Sequence, residues 1–84
     1  MFAKVKSSTF IDSLVVELGS STEHSLTAIL RDDSGAICSK YETKIFRGQP
    51  NVTWEGLNHL PYGVYTLELR QGEQQVRLRM VKRV

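Results

Sequence analysis

What this chain has little of excludes most chemistries. Its single cysteine, Cys38, rules out an internal disulfide framework and reads as a small buried or strand-edge residue. Its two histidines, His24 and His59, fall in predicted loops with no cysteine or carboxylate at ligand spacing. No apolar run approaches the roughly 18 residues that span a bilayer, so no transmembrane segment is expected. The opening Met1-Phe2-Ala3-Lys4-Val5-Lys6 lacks the apolar core and cleavage site of a signal peptide, which leaves a cytoplasmic protein or a piece of a larger exported chain. There is no Gly-x-Ser-x-Gly elbow and no phosphate-cradling glycine loop. Asp32-Asp33-Ser34-Gly35 lacks the spaced ligands and closing Glu of a calcium loop, and reads as a turn. No enzyme, cofactor or metal is therefore expected.

Helical periodicity is absent as well, and what remains is a series of short alternating segments. The 84 residues allow one domain, 1–84, with a modest core. Phe2 to Lys6 reads as a short first strand, with Phe2 and Lys4 facing away from Ala3. Phe10-Ile11 places two apolar residues in a bend expected to pack down on the core. Leu14 to Leu18 alternates at Leu14, Val16 and Leu18, and Ser25 to Arg31 at Leu26, Ala28 and Leu30, as half-buried strands do. Gly19 to Glu23 between them is loop by composition. Asp32 to Gly35 should close a hairpin, with Gly35 in the left-handed position. The return runs from Ala36 to Lys44 with Ile37 and Tyr41 inward, joined by Ile45. The loop from Ile45 to Pro50 carries two large apolar residues, Ile45 and Phe46, one of which should dock.

The densest information lies between Val52 and Leu69. Val52 and Trp54 alternate with Asn51, Thr53 and Glu55, and Gly56 ends that strand. Leu57 and Leu60 are spaced to plug the end of a core while Asn58 and His59 stay wet. Leu60-Pro61-Tyr62-Gly63 reads as a tight turn, because proline fixes φ and glycine admits positive φ. Val64 to Arg70 then forms the central strand, with Tyr65, Leu67 and Leu69 inward and Thr66, Glu68 and Arg70 outward. Tyr65 follows a corner between sheets, where a tyrosine hydroxyl bonds upstream backbone in many β-sandwiches. Gln71-Gly72-Glu73 turns the chain, and Gln74 to Lys82 is the last strand, with Val76, Leu78 and Met80 inward. These segments define an all-β, immunoglobulin-like antiparallel β-sandwich of about seven strands.

The net charge of +2 is near balance, but from Arg70 onward Arg70, Arg77, Arg79, Lys82 and Arg83 stand against Glu73 alone. Arg77, Arg79 and Arg83 share one side of the last strand with Val81. Such a row either docks on an anionic partner or blunts an edge against aggregation. It has no interleaved aromatic to stack on bases, so nucleic acid is not expected. Asn51-Val52-Thr53 matches a glycosylation sequon, a short and weak motif.

The segments Ser8 to Leu18, Ala28 to Ile37, Leu60 to Leu67 and Met80-Val81-Lys82 follow, in order, the pattern of the C-terminal sorting domains of the type IX secretion system. The chain resembles these domains from about Ser7 to the end, most specifically in the Leu60-Pro61-Tyr62-Gly63-Val64-Tyr65 corner and the basic last strand. Ser7-Ser8-Thr9 stands where the family usually has Pro-Asn-Pro. Val52 to Gly56 is also similar to the Ig-like domain of flagellar hook-capping proteins. Fibronectin type III domains share the corner, but their core Trp normally lies on an early strand whereas Trp54 is late. The resemblance implies a non-catalytic sorting signal that directs an N-terminal cargo domain through the periplasm and outer membrane to the cell surface or medium. Its partners would be the outer-membrane translocon and its shuttle components, and the recognition residues would be Gly63, Tyr65, Arg77, Arg79, Lys82 and Arg83. The alternative is a structural or adhesive sandwich that binds protein or carbohydrate.

Overall fold

A computed structural model describes residues 3–19 and 24–83. The expected loop positions Ser20 to Glu23, and Phe2 of the first strand, lie outside the described residues. The strands are β1 (Ala3–Val5), β2 (Thr9–Phe10), β3 (Leu14–Leu18), β4 (His24–Arg31), β5 (Ile37–Ile45), β6 (Asn51–Trp54), β7 (Gly63–Gln71) and β8 (Gln74–Lys82). They form a three-stranded sheet, β1-β3-β6, and a five-stranded sheet, β2-β8-β7-β4-β5. Every pairing is antiparallel except β2 with β8. The chain crosses repeatedly between the sheets, so each sheet completes the other's core. The result is an immunoglobulin-like sandwich with β7 at the centre of the larger sheet.

Alternation places one face of each strand inward. Leu14, Val16, Val52 and Trp54 come from the smaller sheet, and Leu26, Ala28, Leu30, Tyr65, Leu67, Leu69 and Met80 from the larger. Leu57 and Leu60 close one end of this core as expected, at 0% and 6% exposure. Val76 and Leu78 are only half-buried, because β8 lies near the margin of its sheet. Trp54 is buried and stacks on Tyr41, with ring centroids 5.7 Å apart and planes 15° from parallel.

The turns follow their residues. Asp32 accepts hydrogen bonds at Oδ1 from the Ser34 hydroxyl and amide and from the Ala36 amide, while Gly35 adopts φ 90°. The Ser34 hydroxyl, foremost among these donors, holds the Asp32 carboxyl below its usual pKa. Gly72 takes φ 59° at the first central position of a two-residue hairpin, as a type II′ turn requires.

Several expectations are corrected. Ile37 is exposed, because a bulge shifts the β4–β5 register: Leu30 pairs with Ser39 but Arg31 with Ile37. The extra residue, Cys38, packs against the core in its place. His24, expected in a loop, begins β4 and pairs with Ile45, and Ile45 in turn ends β5 as a buried residue. Phe46 is exposed. The bend at Phe10-Ile11 includes a short strand, β2, paired with Val81 and Lys82: Phe10 packs down as expected, whereas Ile11, just past the strand, is exposed. In β1 the expectation holds: Ala3 is buried and Lys4, on the opposite face, is exposed.

Trp54→Ala should cost about 3–5 kcal/mol, the usual cost of truncating a buried aromatic. Urea unfolding followed by circular dichroism checks this; an unchanged midpoint would mean that the indole is not part of the cooperative core.

Candidate functional site

The corner between β6 and β7 is assembled from backbone constraints. Gly56 at φ 79° turns the chain out of β6, and the Leu57 amide donates to the Asp12 carbonyl at 2.9 Å. Leu60 N–H donates to Leu57 O at 3.2 Å, and His59 Nδ1 lies 2.9 Å from the Gly56 carbonyl, so the connection is a folded loop with exposed Asn58 and His59. Pro61 then presents its carbonyl to the Tyr65 hydroxyl, which donates a 2.6 Å hydrogen bond. Tyr65 packs edge-on against Phe10, with ring centroids 6.1 Å apart. Burial, with smaller effects of Cys38 and Asp32, pushes the Tyr65 phenol further above its usual pKa, so it stays a protonated donor. This is the tyrosine-corner arrangement of β-sandwiches.

The second feature lies on the outer face of the larger sheet. Register places Glu68 of β7 between Ile29 of β4 and Arg77 of β8. Glu68 points outward as expected, yet it is 0% exposed. Arg70 Nη2 stands 2.7 Å from Oε2, Arg77 Nε donates to Oε1 at 3.2 Å, and Arg31 Nε lies 3.9 Å from Oε1. The Arg70 contact is an ion pair whose geometry falls short of a hydrogen bond, leaving Oε2 without one. Three cations therefore share one anion, and the cluster keeps a surplus of positive charge on a face that also carries Arg79 and Arg83.

The six residues expected to be recognised do not form one exposed surface. Gly63, Arg77, Arg79 and Arg83 are exposed, whereas Tyr65 and Lys82 are buried. Lys82 follows the inward parity of Met80, so its ammonium is not part of the exposed row. It bonds the Arg83 carbonyl at 3.0 Å and lies 5.6 Å from the centre of the exposed Tyr62 ring. Tyr65 and Lys82 hold the corner; Arg77, Arg79 and Arg83 present charge. Glu68 and Arg31 were not singled out from sequence, and Arg70 only as part of the basic excess. The Gly72-Glu73 turn is the signal that pairs Glu68 with Arg77, by counting back equally along both strands.

Among the described residues, no group of three or more His, Cys, Asp or Glu side chains is placed to hold a metal, and no helix is long and apolar enough to cross a membrane. Compared with known proteins, the chain matches no family model and no curated sequence.

Tyr65→Phe should lose roughly 0.5–1.5 kcal/mol, the net contribution of one hydrogen bond, while retaining the ring packing. An unchanged denaturation midpoint and slope would leave only a packing role for Tyr65. Glu68→Gln should destabilise by about 1–3 kcal/mol in low salt and less in high salt, because three partly exposed guanidinium groups lose their shared counter-charge. Equal stability of the two proteins at every salt concentration would show that the ion cluster contributes nothing.

Proposed function

We propose that this domain is a non-catalytic sorting signal of the type IX kind, which carries an exported cargo through the outer membrane. The observation that carries the reading is the join between the resembling corner and the basic strand. The Tyr65–Pro61 hydrogen bond pins the start of β7, and β7 pairs along its whole length with β8, which displays Arg77 and Arg79 to solvent. A folded label needs a rigid frame and an exposed mark, and this arrangement supplies both. Its partners in this reading are the outer-membrane translocon and its shuttle components, with the cargo attached at the N-terminal side.

The test is export. Fused to a periplasm-directed fluorescent protein in a host with the secretion system, the intact domain should send fluorescence to the surface or medium. Arg79→Gln/Arg83→Gln removes exposed charge alone and should reduce export while the domain stays folded by circular dichroism. Lys82→Gln should instead lower stability, since that side chain is buried against the corner. Retention of the intact, folded fusion in the periplasm would sink the proposal and favour the structural or adhesive sandwich.

A further inference from the structure

The row of arginines on β8 coincides with an open backbone edge. Val81 N–H donates to Ser8 O and Arg83 N–H to Phe10 O, each at 2.8 Å, so these amides point away from β7 toward β2. Backbone direction alternates along a strand, which turns the N–H and C=O groups of Arg79, Arg77 and Gln75 to the same edge. The β2 pairing engages β8 only from Val81 onward. From Gln75 to Arg79, no described strand pairs with that edge.

We propose that this edge is a strand-addition site for an extended, acidic polypeptide segment. Only another extended backbone answers alternating donors and acceptors along an edge, which favours a polypeptide over a lipid surface. Same-face side chains on the added strand repeat at about 6.6–6.8 Å, as Arg77 and Arg79 do, and opposed side chains come within about 4.5–5.5 Å. Carboxylates at alternate positions therefore meet Arg77 and Arg79 in register. Arg79 has no ion pair among the described residues, and Arg77 shares Glu68 with Arg31 and Arg70. Guanidinium groups suit carboxylates because their planar forks donate in pairs. A second copy of this chain is disfavoured, since β8 against β8 opposes arginines with arginines. Outward-facing residues of β7 and β8 include no aromatic on which a base would stack.

The other long edge, along β5, differs in kind. There Lys40 and Glu42 neutralise each other at 3.1 Å, so that edge attracts neither sign strongly. The inference stands apart from the secretion reading, because it concerns the chemistry of the bound segment and not whether a cargo is exported.

The test titrates the isotopically labelled 84-residue chain with a synthetic heptapeptide of alternating glutamate and valine, followed by NMR. Saturable binding is expected, with hydrogen exchange slowed at the Gln75, Arg77 and Arg79 amides and little changed at Val76 and Leu78, which already face β7. Arg79→Gln should weaken binding about threefold and Arg77→Gln/Arg79→Gln about tenfold, as opposed charge pairs of this kind are lost. The single variant keeps the test sound if the double variant is destabilised. Absence of saturable binding overturns the proposal. So do shifts spread over Arg31 and Arg70 without slowed exchange, undiminished binding of a proline-interrupted peptide, or tighter binding of phosphatidylserine vesicles or duplex DNA.

Discussion

The hydrogen bond from the Tyr65 hydroxyl to the Pro61 carbonyl determines where β7 begins, and the larger sheet is built around β7. Pro61 and Gly63 bring the chain across from β6, but a turn alone leaves the entering strand free to slip. The 2.6 Å bond removes that freedom by tying a core side chain to the loop immediately upstream. A slip of one residue would send Leu67 and Leu69 to the outer face and Glu68 into the core, so the inner face defends the same register. Corner and core thus specify one alignment, and β4 and β8 inherit it through their pairings with β7.

The outer face of β7 poses the opposite problem. A central strand has neighbours on both sides, and here the long side chains of those neighbours fold over it. Arg31, Arg70 and Arg77 cover Glu68 until none of it reaches water. A buried carboxylate is costly unless countered, and the converging guanidinium groups counter it while keeping much of their own surface wet. The same pairings hold extended arginine side chains in place across three strands, which lowers the ordering cost of any further anion that approaches them.

Much of the fold was legible because most strands alternate cleanly over a single core. Leu14-Val15-Val16-Glu17-Leu18 and Val64 to Leu69 can be placed with their faces assigned, and the Leu60-Pro61-Tyr62-Gly63 turn with Tyr65 behind it contains both groups of the hydrogen bond that pins the corner. Ile37 was not legible, because the bulge that reverses its direction arises from pairing with β4 and leaves no local mark. β2 is too short for periodicity, and its parallel pairing with β8 is a tertiary event. Lys82 is a different kind of miss. Alternation from Val76 through Met80 already directed it inward, and its charge outweighed that pattern in the expectation. The arginine cluster required register across a hairpin, which the Gly72-Glu73 turn supplies but alternation within one strand does not.

Edges separate what this sheet needs for its own folding from what it offers to others. Exposed strand edges invite pairing, and charge is the usual deterrent. On β5 the deterrent mixes both signs within one face, so a strand of either charge meets partial repulsion. On β8 the outward row carries Arg77 and Arg79 without a carboxylate of its own, and Glu68 beneath is already shared by three cations. A single-sign edge repels copies of itself as well as a mixed one does, so protection from self-association alone gives no reason to prefer it. Its distinguishing property is asymmetry: it turns away basic strands and its own kind, and leaves pairing with an acidic strand electrostatically favourable.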